Sequence, residues 1–221
     1  MAVIPAHDRQ QGAALLIMLL LLVLGGAVLF SRNISGQLAS ASLATRNAAA
    51  LADAKEALLG YIVTRDATYP GKYGFLPCPD INATGSTAEG DAHATNCGAR
   101  YRNMLGRFPW RTLGLEPGRS KGSECLWYAV SGSWKAAGAN EPQLLNTDSS
   151  GQLRVLAADG NTLIAGSTAG ERPVAVIIAP GPPIAGQIRA TAGSGVEQCG
   201  GSFVANRYLD NHAATGINNS N

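Results

Sequence analysis

Oxygen-bearing side chains recur at alternate positions in one stretch of the chain, where they could bind a hard cation. Asp80, Asn82 and Thr84 are followed by Gly85, and Asp91 falls at the twelfth position of the same stretch. A calcium loop needs alternating oxygens that converge on one ion and a glycine at its sharp turn. The pattern departs from that loop at Thr84 and at Asp91, which replaces the usual glutamate. Two interpretations stay open, a Ca²⁺ site and a solvated polar turn.

The four cysteines are Cys78, Cys97, Cys125 and Cys199. They lack the C-x-x-C spacing of a zinc site. An even number of cysteines indicates disulfides in an oxidising compartment, and the alternative is four buried thiols. Of the three pairings, we favour Cys78–Cys97, which would close a polar loop. Its complement, Cys125–Cys199, would tie a predicted strand to the C-terminal segment.

A basic stretch between residues 100 and 121 has aromatic residues interleaved with its positive charges. Basic groups bind a phosphate backbone, and aromatic rings stack on bases. The stretch therefore makes DNA a candidate partner, and a solvated loop or a subunit contact is the alternative. The candidate contacts are Arg100, Arg102, Arg107 and Arg111.

Other catalytic chemistry is not indicated by the sequence. It contains no nucleophile elbow, Walker loop, zinc-protease motif or dinucleotide-binding glycine motif, and its three histidines lie far apart. We therefore expect no enzyme. Charged residues make up only 14% of the 221 residues and the net charge is +2, which argues against a disordered chain and against a dedicated nucleic-acid binder.

The chemistry-bearing residues follow an apolar run at residues 12–30, which has 19 residues and no charge. A helix crosses the hydrocarbon core with about 20 apolar residues, so the run predicts one membrane helix. A secretory signal peptide and a buried core helix are the alternatives. Residues 31–64 continue with apolar residues at steps of three and four, including Leu51, Leu58, Leu59 and Ile62. That spacing predicts an amphipathic continuation of the same helix.

The segment RQQGAALLIMLLLLVLGGAVLF, residues 9–30, resembles the N-terminal signal of type IV prepilins and pseudopilins, and is most similar to PilX-like minor pilins. The resemblance covers residues 1 to about 64. It implies that a prepilin peptidase cleaves between Gly12 and Ala13 and methylates the new N-terminus at Ala13. The implied partners are the peptidase, other pilin or pseudopilin subunits and inner-membrane lipid.

One position departs from this family. Most members have glutamate at the fifth mature position, where it is thought to pair with the N-terminal amine of a neighbouring subunit, and this chain has Ile17. Minor members that lack the glutamate resemble initiating or tip subunits. The resemblance therefore implies an initiating or tip role here.

The remaining residues, 65–221, predict a head rich in β-structure. Residues 125–130 and 174–179 predict strands, the second buried on both faces, and residues 153–157 and 162–165 predict a hairpin around Asp159 and Gly160. We expect an α+β fold in which a long N-terminal helix, membrane-spanning in its first half, packs on a small antiparallel β-sheet like a pilin lollipop. The predicted parts are a leader (1–12), a transmembrane half (13–30), an amphipathic half (31–64) and the head.

These features together predict a non-enzymatic minor pilin or pseudopilin of a type IV pilus or type II secretion filament. The predicted localisation is the inner membrane, with a single pass and the head in the periplasm, or outside the cell after assembly. The alternatives are a tip module that binds DNA or a surface, and a membrane-anchored periplasmic protein that does not polymerise. The sequence indicates no cofactor other than Ca²⁺ at the candidate loop.

Overall fold

A computed structural model describes the backbone of most of the chain, and the side chains of helical residues 14–26 and 41–65. The described ranges are 8–68, 74–82, 87–93, 97, 101–117, 124–135, 145, 148–157, 159–183, 187–189, 199, 201–209, 211–212 and 217–218. The chain divides into two units, Met1–Thr45 and Arg46–Asn221.

One long α-helix, α1, runs over Asp8–Thr68, and the boundary between the two units falls within it. Leucine, alanine and other good helix formers fill most of its length, and it contains no proline. In the first unit the described side chains from Leu15 to Leu24 are all exposed.

The prediction that the first half of this helix spans a membrane is wrong. No helix within the described residues combines the length and the apolar character that crossing a membrane requires. The same finding contradicts three further predictions. These are the single-pass inner-membrane localisation, the pilin-like fold with a membrane-spanning stem, and the description of the chain as a transmembrane pilin.

The second unit contains seven short strands and two 3₁₀ turns among its described residues. The strands are β1 (Met104–Arg107), β2 (Trp127–Val130), β3 (Val155–Leu156), β4 (Leu163–Ala165), β5 (Ala175–Ile178), β6 (Asn211–His212) and β7 (Ile217–Asn218). The 3₁₀ turns are Ala169–Glu171 and Ala205–Arg207.

The central sheet is antiparallel, with the order β1-β2-β5. Arg107 pairs with Trp127, and Trp127 pairs with Ile178 on its other side. The strands predicted at 125–130 and 174–179 are confirmed as β2 and β5. The prediction that the second strand is buried on both faces is wrong, because β5 is an edge strand and its four residues are only partly buried.

The predicted hairpin is confirmed as the pair β3–β4. Gly160 in its turn has φ 68°, a left-handed conformation that glycine adopts without steric cost. The Asp159 carboxylate accepts hydrogen bonds from the backbone N–H groups of Asn161 and Thr162, at 3.0 and 2.9 Å. This Asx turn joins the two strands at the surface.

The core of the second unit lies between the sheet and the C-terminal part of α1. Ala54 and Leu58 of α1 are buried with Leu76, Phe108, Leu126 and Tyr128. Leu51 and Ile62 pack against this cluster, as the predicted amphipathic stripe requires. Leu59 is wrongly included in that stripe, since it is 47% exposed.

Candidate functional site

The most extensive apolar surface in the described residues is the apolar segment, residues 15–24 of α1. All ten side chains are large and apolar, and their exposed fractions lie between 55% for Leu24 and 69% for Leu15. Successive residues of an α-helix point about 100° apart, so ten in a row cover every side of the helix. A soluble monomer seldom exposes an apolar patch of this extent, and such patches mark contact sites.

The predicted cleavage site precedes the apolar segment. Gly12 and Ala13 belong to the α1 backbone, and their side chains lie outside the described residues. Ile17, the position of the family glutamate, is 61% exposed within the apolar segment.

The cysteines form two disulfides, Cys78–Cys97 and Cys125–Cys199, which are the pairings favoured from the sequence. All four residues are buried. Cys125 belongs to the core cluster beside Leu126, so its disulfide fastens Cys199 directly to the core. Two disulfides fit an oxidising compartment.

The Asp80 carboxylate organises a turn. Asp80 is fully buried. Its Oδ1 accepts hydrogen bonds from the backbone N–H and the side-chain amide of Asn82, each at 2.8 Å, and its Oδ2 accepts one from the Gly90 N–H at 2.7 Å. Burial raises the pKa of Asp80 above its ordinary value, and the hydrogen bonds from Gly90 and Asn82 oppose that rise.

These contacts do not resemble a calcium site. Both Asp80 oxygens face N–H donors, and the Asn82 amide donates to the carbonyl oxygens of Ala88 and Asp91 at 2.9 and 3.2 Å. Asp91 lies 3.4 Å from Arg111, and Thr84 lies outside the described residues. Within the ranges that the structure describes, no group of His, Cys, Asp and Glu could hold a metal ion. In the described residues, the polar turn therefore accounts for the pattern better than calcium does.

The candidate nucleic-acid contacts differ in burial. Arg107 is fully buried, so its assignment to a DNA-binding surface is wrong. Arg111 is exposed, but it donates to the Thr87 carbonyl at 2.6 Å and lies over the Trp110 ring at 5.0 Å. Arg102 is exposed, and Arg100 lies outside the described residues.

Arg107 is buried among three aromatic rings and donates a hydrogen bond to one backbone carbonyl. Its guanidinium lies 5.0 Å from the Trp127 ring centroid and 5.4 Å from those of Phe203 and Tyr208. Its Nη2 donates to the Ser202 carbonyl at 2.6 Å. Burial lowers the pKa of Arg107, and the nearby Tyr208 and acidic groups oppose that effect. Arg107 therefore joins β1 to the C-terminal segment.

Sequence reasoning missed the polar network that continues from this arginine. Arg189 forms a salt bridge with Glu124 at 3.0 Å, and both side chains are largely buried. Tyr208 donates to Glu124 at 3.3 Å and accepts from the Ser202 N–H at 2.8 Å. Glu124 and Tyr208 are 84 residues apart in the chain. No local spacing signals such a contact, so the network could be recognised only once the fold was known.

Lys135 was also not singled out from the sequence. It is fully buried, and its ammonium group donates to the carbonyl oxygen of Cys97. Burial lowers the pKa of Lys135 below its ordinary value. Its contact stabilises the end of the loop that the Cys78–Cys97 disulfide closes.

Comparisons with models of protein families, with curated proteins and with solved structures returned no match.

Proposed function

We propose that this chain is a non-enzymatic subunit of a pilin-like or pseudopilin-like filament, and that it assembles through the apolar segment. The observation that carries the proposal is the exposure of all ten side chains between Leu15 and Leu24. A helix that is apolar on every side is stable in water only when neighbours surround it. One partner covers one side, so the segment needs several neighbours, which a filament of parallel helices provides.

The disulfide-bonded second unit supports the same proposal. Two disulfides in a small domain are typical of proteins that work in an oxidising compartment, where pilus and secretion filaments carry their heads. The resemblance of residues 9–30 to prepilins adds the cleavage between Gly12 and Ala13. The machine can be a type IV pilus or a type II secretion filament.

An initiating or tip position is part of the proposal. Ile17 replaces the glutamate that would pair with the N-terminal amine of a neighbouring subunit. This subunit therefore has no carboxylate at that position that must be neutralised by a neighbour. We expect a small number of copies in each filament, with the rest supplied by a subunit that has the glutamate.

DNA and calcium are not included in this proposal. Of the candidate contacts that the structure describes, Arg107 is buried and Arg111 donates to the Thr87 carbonyl, so only Arg102 is exposed without a described contact. Both oxygens of Asp80 accept N–H hydrogen bonds.

Mass spectrometry of purified filaments tests the proposal. We expect an N-terminus at methylated Ala13 and far fewer copies than the main subunit. Gly12→Val should block cleavage, because a peptidase must approach the backbone closely at that position. Gly26→Val is the matched control, since a side chain at Gly26 would meet nothing within 4 Å. Filament-associated chains that begin at Met1 would contradict the proposal, as would filaments without this chain.

A further inference from the structure

The central sheet of the second unit has a different covering on each face. Alternate residues of a strand point to opposite faces, so Tyr128 faces the core that includes α1, whereas Trp127 and the paired Arg107 face the other way. A stretch near the C-terminus covers this second face, and we call its described residues, 199 and 201–209, the C-terminal cover. The ring of Tyr208 in the cover lies 5.1 Å from the Trp127 ring, measured between centroids.

Few apolar contacts hold the C-terminal cover on the sheet. Among its described residues, Tyr208 is the only large side chain that is buried, and Val204 is 48% exposed. Its other contacts with the rest of the second unit are mainly hydrogen bonds. Arg107 donates to the Ser202 carbonyl at 2.6 Å, Tyr208 donates to Glu124 at 3.3 Å, and the Cys199 N–H donates to Glu89 at 2.7 Å.

These polar contacts hold the C-terminal cover only weakly. Each hydrogen bond replaces a bond to water, so its net contribution to stability is small. Docking also removes two charged groups from water, since Arg107 is fully buried and Glu124 is 8% exposed. Arg189 forms a salt bridge with Glu124 at 3.0 Å. A buried ion pair often adds no net stability, because the loss of hydration offsets the attraction.

The Cys125–Cys199 disulfide supplies the connection that the polar contacts lack. Cys125 belongs to the core cluster, and Cys199 is the first residue of the C-terminal cover. The two cysteines are 74 positions apart, and a covalent bond between them removes chain entropy that docking must otherwise overcome. The Cys78–Cys97 disulfide includes no residue of the cover. One of the two disulfides therefore acts on the cover directly.

We propose that the C-terminal cover is an oxidation-dependent latch, which docks on the sheet only after Cys125 and Cys199 have formed their disulfide. When both cysteines are thiols, the cover is released while α1 and the sheet stay folded. In the oxidation, the two thiols lose two electrons and two protons, which the disulfide of an oxidant takes up to become two thiols. The latch distinguishes a chain in an oxidising compartment from one in a reducing compartment. The inference does not depend on the proposed function, because its contacts all lie within the second unit.

NMR spectroscopy of the full-length protein in detergent micelles tests the latch. In Cys125→Ala/Cys199→Ala, we expect the backbone signals of Ser202 and Tyr208 to move to random-coil positions. The signals of Tyr128 in β2 should keep their folded positions. A cover that stays docked in this variant overturns the inference. Loss of the Tyr128 signals together with those of the cover also overturns it, because the whole unit then fails.

Cys78→Ala/Cys97→Ala is the matched control, and its cover should remain docked. In this variant Cys125 and Cys199 are the only cysteines, so it also gives a direct redox readout. Reduction with dithiothreitol, verified by mass spectrometry, should release the cover. Reoxidation with oxidised glutathione should restore the docked signals of Ser202 and Tyr208. A cover that stays docked in the reduced protein overturns the inference.

Gly201→Ala opens the cover without changing a cysteine. Gly201 has φ 86°, and a Cβ there would lie 2.2 Å from the Tyr208 hydroxyl oxygen. We expect the signals of Ser202 and Tyr208 to move to random-coil positions in this variant, with the Tyr128 signals unchanged. If the Tyr128 signals are lost as well, the sheet requires the cover to fold, and the inference is overturned.

Discussion

At the residue scale, two buried ionisable side chains have structural uses that their types alone do not reveal. Asp80 has each oxygen occupied by N–H donors, and it closes the turn between residues 80 and 90. Arg107 lies among three aromatic rings and donates to Ser202. Each is buried because local partners compensate for its lost hydration. These contacts account for the buried positions of Asp80 and Arg107 without a metal ion or a nucleic acid.

Asp80→Asn should destabilise the second unit. The new amide would retain one acceptor oxygen but would face either Gly90 or Asn82 with an N–H group, so one buried donor would lose its partner. The expected loss in the free energy of unfolding is about 1–3 kcal/mol, measured by chemical denaturation. Asp159→Asn is the matched control, since Asp159 makes a similar turn at an exposed site. Equal losses in both variants would contradict this account of Asp80.

The raised pKa of Asp80 makes the contribution of this residue to the stability of the fold depend on pH. Burial raises its pKa above 3.8 in the folded state, so the folded protein binds this proton more tightly than the unfolded chain does. Its contribution to stability is therefore greatest below pH 3.8 and is lost as the pH rises through the folded-state pKa. An NMR titration of the Asp80 carboxyl measures the shift directly. A midpoint below 3.8 would show that the hydrogen bonds outweigh burial.

At the element scale, the sequence predicts local structure better than it predicts pairing. Strands β2 and β5 were recognisable because aromatic and β-branched residues fill them, and the β3–β4 turn was recognisable from Asp159 and Gly160. Strand β1, with the sequence MLGR, was missed because its glycine and arginine are not typical of strands. The order β1-β2-β5 depends on contacts between distant segments, which no local pattern contains.

The side-chain contacts of the candidate site, like the strand order, could be predicted only in part from the sequence. The cysteine pairing could be favoured from the positions of a polar loop and a strand. Burial of Arg107 could not be foreseen, because arginine is mostly exposed in proteins and its ring partners come from residues 127, 203 and 208. Arg107 was therefore wrongly assigned to an exposed surface together with its neighbours in sequence.

The two disulfides should contribute unequally to stability. Cys125–Cys199 joins residues 74 positions apart, and Cys78–Cys97 joins residues 19 positions apart. In the chain-entropy model, these loops correspond to about 4.4 and 3.2 kcal/mol. We expect the Cys125→Ala/Cys199→Ala variant to lose more stability in denaturant than the Cys78→Ala/Cys97→Ala variant. Each single cysteine variant should lose about as much as its own pair, and a larger loss from the shorter loop would refute the expectation.

At the scale of the whole molecule, the two units differ in the contacts that stabilise them. The second unit has its own core, two disulfides and a buried polar network, so it is stabilised by its own contacts. The apolar segment in the first unit has ten exposed apolar side chains instead. Its stability in water depends on partners, and this difference is the physical basis of the proposed assembly.

A charge in the apolar segment should separate assembly from folding. Leu20 is 61% exposed, and Leu20→Lys would place an ammonium group where neighbouring subunits should pack. Burying an unpaired charge costs several kcal/mol, and each 1.4 kcal/mol is a factor of ten in an equilibrium. We therefore expect at least a tenfold loss of the filament-associated fraction, measured by sedimentation of sheared filaments, with no change in the denaturation midpoint of the second unit.

Leu59→Lys provides the comparison for this experiment, because Leu59 is 47% exposed on the same helix but lies in the second unit. Its side chain is outside the apolar segment, so assembly should persist, and Leu20→Met should also assemble because methionine conserves the apolar volume. If Leu20→Lys assembles as well as Leu59→Lys does, the apolar segment is not an assembly surface. If both lysine variants lose assembly while the second unit stays folded, the contact extends along α1 beyond the apolar segment.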